Sequence, residues 1–380
     1  MTTIAIVSRS LWPFIKGGAE KFIYTLGQRL KSYGFNVLFI TLSPGSIDKK
    51  SFSQENIIFI KNPFIKPIPL VSSLYFSVIA SIIVNILKPD AVIVNGYWGE
   101  ASPSLISRHI PVVVVIHDVG LFTSEYARRN RIKYLLRKAV LTLTTRRAWA
   151  IVVPTSTVKK DLVKYLGVDP SKILVLGGEG VEGPFKREHI ENKYFDVVHV
   201  GRFAPNKGQL VSLKAFREVV ERIPNARLWL VGGLSSNIEH LKYYREVLVE
   251  AKKINESIGR EAVVIVVNAP SIEEYYRIAD VCIAPSLAEE GYGLTIVECM
   301  AYGKPVIASD VFLETSVAAR DRNIVVKRGS YEELARAIIR LYNDRKLYDS
   351  LSEKGLSYVR MLSWDNVALF FKKLLNKLLD

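Results

Sequence analysis

The stretch PSLAEEGYGLTIVECMAYGKPVIAS, residues 285–309, contains a strand end, a loop, a helix and the start of another strand. Pro285 ends an apolar run, a loop continues to Gly293, and LTIVECMAY has the pattern of a helix that Gly303 and Pro305 would end. The apolar run PVIAS follows directly. Strand, helix and strand in this order are typical of a parallel sheet covered by helices.

The same alternation extends over the whole chain. Amphipathic segments such as AEKFIYTLGQRLKSYG separate short apolar runs, which are typical of strands buried on both faces. These runs are TIAIVS, NVLFIT, AVIVN, VVVVIH and AIVVPTS in the first half, and FDVVHVG, ARLWLVG, AVVIVV and DVCIAPS in the second. The sequence therefore predicts two doubly wound, Rossmann-like α/β domains with parallel sheets, residues 1–178 and 190–364, joined through the glycine-rich segment 176–194.

The 380 residues carry a formal net charge of +15, and the first half holds nearly all of it. Residues 1–178 have 23 Lys and Arg against 9 Asp and Glu, while residues 179–380 have 29 against 28. The densest part is 126–160, with ten basic side chains and no acidic one. Three explanations stay open: a solvated basic face, an anionic lipid or phosphorylated acceptor, and a nucleic acid.

Residues 67–87 contain no charged side chain over a length that can span a bilayer. However, Ser73, Ser77, Ser81 and Asn85 recur at every fourth position and form one polar stripe. This pattern favours a single helix, packed in the core or lying at a membrane interface, over a helix that crosses the membrane.

The chain has two cysteines, Cys282 and Cys299, 17 positions apart and without a Cys-x-x-Cys motif. This spacing predicts neither a disulfide framework nor a thiolate metal site. The N-terminal MTTIAIVSRS has the pattern of a first strand and lacks the basic and apolar regions of a signal peptide. We therefore expect a reduced, cytoplasmic location.

Two segments have features of phosphate binding. Gly17 and Gly18 lie between the first strand and the first helix, where a backbone without Cβ atoms and free helical N–H groups can approach an anion. Arg202 and Lys207 follow a strand and precede a helix, where two cations can neutralise a diphosphate. A plain glycine turn and structural salt bridges are the respective alternatives. Neither of these two segments contains a G-x-G-x-x-G or a P-loop motif.

Two further segments carry candidate polar groups. His117, followed by Asp118, ends a strand and can hydrogen-bond a sugar hydroxyl or serve a purely structural role. Glu298 lies within the helix that follows Gly293 and Leu294, where a carboxylate can accept both hydroxyl hydrogens of a ribose while backbone N–H groups reach a phosphate. Glu290 with Glu298 can alternatively act as an acid/base pair, as in glycosidases, although a glycosidase has no need for the two cations.

Taken together, these motifs resemble a retaining glycosyltransferase of the GT-B fold. The chain is similar over nearly its whole length to the large family that contains bacterial mannosyltransferases and sucrose synthases, described as glycosyltransferase family 4-like or glycosyl transferases group 1. The matching pieces are GGAE, HD, VGRFAPNKG, PNARLWLVG, PS followed by EEGYGLTIVECMAYGKPVIAS, and the SW that begins the terminal helix. The sequence GGEGVEG stands where the family usually has Asn-Gly.

The resemblance implies roles for individual residues. Gly18 would contact the donor phosphates through its backbone, Arg202 and Lys207 would hold the diphosphate, and Glu298 would bind the ribose. The terminal helix, residues 365–380, would pack on the first domain.

The resemblance also implies where the reaction takes place. Glu290 and His117 would lie beside the transferred sugar, in a cleft between the domains. The expected reaction moves a hexose from a UDP- or GDP-linked sugar to an acceptor hydroxyl with retained configuration, by a displacement on one face of the sugar. No D-x-D motif is present, so we expect neither a metal nor another cofactor.

The basic first half and the uncharged segment 67–87 together suggest a lipid-linked or otherwise anionic acceptor at the cytoplasmic face of a membrane, with a peripheral attachment. We expect no nucleic-acid partner. Two other functions stay open at this stage: a nucleotide-sugar epimerase or phosphorylase of the same fold, and a nucleic-acid binder without catalysis.

Overall fold

The computed structural model of the chain describes residues 1–14, 18–43, 56–63, 69–96, 102–117, 131–188, 190, 193–235, 237–288, 292–313, 317 and 320–380. The described residues form two compact units. Unit 1 contains Met1–Gly180 together with Trp364–Asp380, and unit 2 contains Val181–Ser363. Of the residues singled out in the sequence, Gly17, Asp118, Glu289 and Glu290 lie outside the described ranges.

Unit 1 is built on a sheet of seven strands. The strands are β1 (Thr3–Val7), β2 (Asn36–Leu42), β3 (Ile57–Ile60), β4 (Ala91–Asn95), β5 (Val112–Val115), β6 (Ala150–Val153) and β7 (Ile173–Val175). They are arranged in the order β3-β2-β1-β4-β5-β6-β7, and every neighbouring pair is parallel. The central strands consist mostly of apolar residues because helices cover both faces of a doubly wound sheet.

The first helices of unit 1 are α1 (Gly18–Ser32), α2 (Pro69–Leu87), α3 (Ser102–Leu105), α4 (Arg131–Arg147) and α5 (Ser156–Leu166). The termini of α5 follow from its sequence. The side chain of Thr155 accepts a hydrogen bond from the Val158 N–H at the start, and Gly167, at φ 63°, ends the helix in the left-handed conformation.

Unit 2 is built on a sheet of six strands. The strands are β8 (Phe195–Val200), β9 (Ala226–Gly232), β10 (Val263–Val267), β11 (Val281–Ala284), β12 (Val306–Ser309) and β13 (Ile324–Val326). Their order is β10-β9-β8-β11-β12-β13, again with parallel neighbours throughout. The prediction of two parallel, doubly wound sheets is therefore confirmed.

The helices of unit 2 are α6 (Gln209–Arg222), α7 (Ile238–Ile258), α8 (Glu273–Ile278), α9 (Leu294–Ala301), α10 (Tyr331–Asn343) and α11 (Arg345–Met361). The chain then returns to unit 1 as α12 (Trp364–Leu379). In unit 1 the ring of Trp364 packs on Phe22 of α1, with 5.3 Å between the ring centroids. A Cβ added to Gly180 would lie 2.6 Å from the Trp364 ring, so only glycine fits there.

The spacing of the two cysteines predicted no disulfide framework, but the structure contains a disulfide. Cys282 on β11 and Cys299 on α9 form a disulfide, with their Cα atoms 6.5 Å apart. The spacing in sequence did not indicate this pairing because the two residues meet only when the helix packs against the sheet. Both cysteines are buried, so the bond ties α9 to the strand beneath it.

Residues 69–87 of the uncharged segment form one helix, α2, which is half-buried. Its serine stripe faces the protein interior, and Ser73, Ser77 and Ser81 are all buried. No helix within the described ranges combines the length and the apolar character needed to cross a membrane.

Candidate functional site

Each sheet has one point at which the strand order reverses. In doubly wound folds, ligands bind outside the carboxyl ends of the strands at this switch point. The switch lies between β1 and β4 in unit 1 and between β8 and β11 in unit 2. The polar residues predicted from the sequence follow these strands or their neighbours.

In unit 2, the loop after β8 packs against the end of β11. Gly208 has a φ of 77°, and a Cβ at this position would collide with the carbonyl oxygen of Pro285. The N–H of Leu287 donates a 2.8 Å hydrogen bond to the carbonyl oxygen of Asn206. These contacts hold the loop that carries Arg202 and Lys207 at the switch point.

Two residues that the sequence analysis did not single out shape the same loop. The side-chain amide of Gln209 donates to the carbonyl oxygens of Gly201, at 3.3 Å, and Arg202, at 3.0 Å. Gly232 on β9 lies so close to Gly201 that a Cβ there would collide with its carbonyl oxygen. The Arg202 side chain is exposed, and it forms no ion pair with any residue in the described ranges.

Helix α9 follows β11 in sequence, after the segment that begins at Pro285. Gly293 adopts a φ of 92° directly before Leu294, the first helical residue. A Cβ on Gly293 would lie 3.0 Å from the ring of Phe312, so the close packing and the backbone conformation both favour glycine. No side chain in the described ranges caps this helix start, and the N–H groups of a helix start attract anions.

Glu298 is held by a residue that its sequence neighbourhood does not reveal. The hydroxyl of Tyr276 on α8 donates a 2.8 Å hydrogen bond to Oε2 of Glu298. Burial, together with the negative charge of Glu298, raises the pKa of Tyr276 well above its usual value. The tyrosine therefore stays protonated and remains a donor to the carboxylate.

A buried histidine, His199, lies at the end of β8 beside the loop that carries Arg202 and Lys207. Nδ1 of His199 on β8 lies 2.9 Å from the hydroxyl of Ser212 on α6. Burial, and to a smaller extent the positive charge of Lys207, lower the pKa of His199 to about 3. His199 is therefore neutral near pH 7.

In unit 1, the switch point holds a buried hydrogen-bond network. Asn95 at the end of β4 donates through Nδ2 to the hydroxyl of Ser8, which follows β1, at 3.1 Å. The same amide donates to the carbonyl oxygen of Ala19 in the first turn of α1, at 3.4 Å. The end of β4 is thus joined to the helix that begins at Gly18.

His117 occupies the centre of this network. Its Nε2 lies 3.0 Å from Oδ1 of Asn95, and its Nδ1 lies 2.8 Å from Oε1 of Glu179. The ring also contacts Phe22 edge to face, with centroids 5.2 Å apart. Because Glu179 accepts at Nδ1, the carboxylate determines which way the imidazole faces.

The structure thus joins some of the predicted residues through partners that the sequence alone did not identify. Within unit 2 it brings the Arg202–Lys207 loop to Pro285. Glu298 accepts a hydrogen bond from Tyr276. Within unit 1, His117 forms hydrogen bonds with Asn95 and Glu179. The only sequence signal for Glu179 was its place in GGEGVEG, where the family usually has asparagine.

The strand order and the two switch-point sites define the GT-B class of fold, and solved structures of that class confirm it. Sucrose-phosphate synthase of Thermosynechococcus elongatus matches with a TM-score of 0.78 at 21% identity, over 100% of this chain and 99% of that one. HepE of Anabaena, solved with UDP and glucose, matches with a TM-score of 0.75 at 17% identity, over 99% and 100%.

Sequence comparison gives the family. The model described as "Glycosyl transferases group 1" matches residues 183–357, and the one described as "Glycosyltransferase Family 4" matches residues 16–177. The chain belongs to this glycosyltransferase family.

Among curated proteins, the lipopolysaccharide 1,2-N-acetylglucosaminetransferase of Salmonella typhimurium is 30% identical over 193 residues, which are 48% of this chain and 49% of that protein. The match covers 49% of this relative and 53% of a D-inositol 3-phosphate glycosyltransferase of Corynebacterium aurimucosum. The chain thus spans about half the length of these curated relatives.

Proposed function

We propose that this protein transfers a hexose from a nucleoside diphosphate sugar, with UDP or GDP as the nucleotide, to an acceptor hydroxyl. One observation carries the proposal. The Gly208–Pro285 contact and the Asn206–Leu287 hydrogen bond hold the loop of Arg202 and Lys207 at the switch point of unit 2. Two cations at the carboxyl ends of parallel strands complement a diphosphate.

The same cations explain the rate enhancement that such a reaction needs. As the bond to the sugar breaks, negative charge develops on the departing diphosphate and positive charge on the sugar. Fixed cations and N–H dipoles beside the diphosphate stabilise this charge more in the transition state than in the ground state. Arg202, Lys207 and the N–H groups at Gly293 and Leu294 would supply this stabilisation.

Glu298 would bind the donor ribose. Its carboxylate is half-buried and oriented by Tyr276. A carboxylate can accept hydrogen bonds from the hydroxyl groups of a ribose. A carboxylate that is already oriented loses less entropy on binding than a mobile one.

We further propose that the transfer retains the anomeric configuration. The acceptor hydroxyl attacks from the face that the diphosphate leaves, and a phosphate oxygen of the leaving group accepts the hydroxyl proton. Glu290 and His117 would contact the transferred sugar, as the family resemblance implies. Glu179 and Asn95 engage both ring nitrogens of His117 and fix the position of its ring.

The reaction as proposed needs no divalent metal, since Arg202 and Lys207 neutralise the diphosphate. The acceptor would be a lipid-linked or otherwise anionic glycan at the cytoplasmic face of a membrane. The basic first half of the chain supports this assignment, as does the similarity to a relative named lipopolysaccharide 1,2-N-acetylglucosaminetransferase.

A donor screen tests the proposal. The protein is incubated with UDP- and GDP-linked hexoses, with and without extracted membrane lipids, and the products are followed by mass spectrometry. We expect release of one nucleoside diphosphate, a lipid product that is one hexose heavier, and no loss of activity with a chelator. Conversion of the donor to its epimer or to a sugar phosphate, without transfer, would contradict the proposal.

A further inference from the structure

Helix α2 buries its serine stripe and carries apolar side chains on its exposed face as well as on its buried face. Its serines face the interior, where Ser73 accepts a 3.1 Å hydrogen bond from Arg9 and Ser81 donates to the carbonyl oxygen of Ser102 at 3.1 Å. Phe76, Ala80 and Val84 are also buried. Five other apolar side chains face outward and form what we call the outer stripe, each member at least 41% exposed: Val71, Leu74, Val78, Ile82 and Ile86. Water alone does not favour a continuous exposed apolar row.

The outer stripe ends beside a groove. Asn85, next to Ile86, donates to the carbonyl oxygen of Leu105 at 3.0 Å and accepts from the N–H of Ser107 at 2.8 Å. These bonds join the C-terminal end of α2 to the turn after α3. The turn forms one wall of a groove of about 580 Å³, which we call the basic groove.

Four cations line the basic groove: Arg108, Arg146, Arg147 and Lys172. Lys172 donates to the carbonyl oxygen of Ala148 at 3.1 Å, and Arg147 donates to that of Ile110 at 3.0 Å, so these two also hold the backbone. Arg108 and Arg146 are exposed, and within the described parts of the chain neither forms a hydrogen bond or an ion pair through its side chain.

The crowding of these cations indicates that the groove suits an anion. Burial, and after it the positive charge of Arg108, lower the pKa of Arg147. Nε of Arg147 is buried without a hydrogen-bond partner. An anion between the guanidinium groups would relieve their repulsion and accept their free N–H donors.

The rest of the lining is apolar and partly open to solvent. Leu143 is 52% exposed and Trp149 is 46% exposed, and both border the groove. A half-exposed tryptophan beside cations is typical of proteins that contact the headgroup region of a bilayer. The groove therefore joins apolar and phosphate-binding features on one continuous surface with the outer stripe.

The basic groove is distinct from the site at the switch point. Its turn precedes β5, Trp149 precedes β6 and Lys172 precedes β7, so it lies at the amino edge of the sheet. His117 follows β5 at the opposite, carboxyl edge. The cations of the groove are therefore not needed for the sugar and require a separate explanation.

We propose that the outer stripe of α2 and the basic groove form a docking surface for an anionic lipid bilayer, with a lipid phosphate bound between Arg108 and Arg146. The outer stripe would enter the boundary between headgroups and acyl chains. A free phosphate would leave five exposed apolar side chains unexplained, whereas a bilayer accounts for both features. The inference deepens the proposed function, on which it rests for the lipid-linked acceptor.

Flotation with lipid vesicles tests the docking surface. Vesicles of phosphatidylcholine alone are compared with vesicles that also contain phosphatidylglycerol, using the full chain and three double variants. The groove variant is Arg108→Ser with Arg146→Ser, the stripe variant is Val78→Ser with Ile82→Ser, and the charge-matched control is Lys214→Ser with Lys242→Ser on exposed positions of unit 2.

We expect the unaltered chain to float with the anionic vesicles. The groove variant should lose about 30-fold in partitioning onto them, since each basic side chain near an anionic surface contributes roughly fivefold. The stripe variant should lose at least about tenfold on either vesicle type, because apolar contact does not depend on lipid charge. The control variant should float like the unaltered chain, and all variants should keep the same melting temperature.

Two results would overturn the inference: equal flotation of the groove variant and the control, or binding of inorganic phosphate in the groove without any flotation. Release of nucleoside diphosphate from a soluble donor is measured in parallel without vesicles. Donor turnover without flotation rejects the docking surface and leaves the proposed function standing. Flotation that depends on the groove, with no turnover of any donor, rejects the proposed function and supports the docking surface.

Discussion

Tyr276 donates a 2.8 Å hydrogen bond to Oε2 of Glu298 across 22 positions of sequence. The tyrosine is buried on α8 and the carboxylate is half-buried on α9. A buried donor that stays protonated fixes the orientation of one carboxylate oxygen. The orientation of Glu298 thus depends on a separate helix.

The first prediction concerns this pair. Tyr276→Phe removes the hydrogen bond and leaves the ring in place, so the Glu298 carboxylate becomes mobile. We expect KM for the nucleotide sugar to rise about tenfold, since a hydrogen bond to a charged group is worth roughly 1.5–3 kcal/mol, with a smaller change in kcat. Steady-state kinetics measure both. Tyr275→Phe on the same helix is the matched control, and an equal effect there would refute the specific role of Tyr276.

The second prediction concerns the two cations. Arg202→Ala or Lys207→Ala should lower kcat/KM by roughly 100-fold each, because fixed charges beside a leaving group act mainly in the transition state. Lys214→Ala, on the exposed side of α6, should leave turnover unchanged. Unaltered nucleoside diphosphate release in the Arg202→Ala and Lys207→Ala double variant would exclude these residues from the reaction.

The third prediction concerns Glu179, which contacts His117 at 2.8 Å. Glu179→Ala leaves Nδ1 of a buried imidazole without its partner, so we expect kcat to fall by roughly tenfold or more. Glu179→Gln keeps an oxygen that can accept from Nδ1 and should restore most of the activity. If both variants behave alike, the carboxylate does not act by orienting the ring.

The fourth prediction concerns pH and stability. The folded-state pKa of His199 is about 3, and its ordinary value is 6.5, so the unfolded chain binds a proton first as the pH falls. The free energy of unfolding therefore has its full value above pH 6.5. It decreases as the pH falls towards 3, by roughly 3–5 kcal/mol in total. Urea unfolding at pH 7 and pH 4 measures it. His199→Gln should show a smaller difference between the two pH values; an unchanged difference would contradict the assignment.

The fifth prediction concerns the disulfide. Replacing Cys282 and Cys299 by alanine should lower the free energy of unfolding by about 3 kcal/mol, as expected for a loop of this size. A reducing agent should destabilise the unaltered protein by a similar amount and leave the variant unaffected. Alkylation of both thiols in denaturant without a reducing agent would show that the bond does not form.

The fold class followed from the sequence because it depends on local patterns. Each strand of these parallel sheets is buried on both faces, so runs such as VVVV and AIVV mark it without any knowledge of neighbours. The turn glycines are local as well, because a positive φ or a close backbone contact excludes other residues. Gly208 and Gly293 stand at such positions.

Helix α2 shows where local pattern stops being sufficient. The serine stripe predicted an amphipathic helix, but the usual assumption places polar side chains in water. Here Ser73 and Ser81 have hydrogen-bond partners in the interior, so they can be buried at little cost, and a row of apolar side chains faces outward. Which stripe faces inward depends on partners elsewhere in the chain.

The sequence by itself determined the two α/β units, the family and the positions of Arg202, Lys207 and Glu298 at the ends of strands or the start of a helix. Only the tertiary structure decided that Glu298 meets Tyr276, that His117 meets Glu179 and that Cys282 pairs with Cys299. Periodicity reports the face on which a residue lies, since it arises from the backbone repeat. A side-chain partner is set by how separate elements pack, and no local pattern encodes that distance.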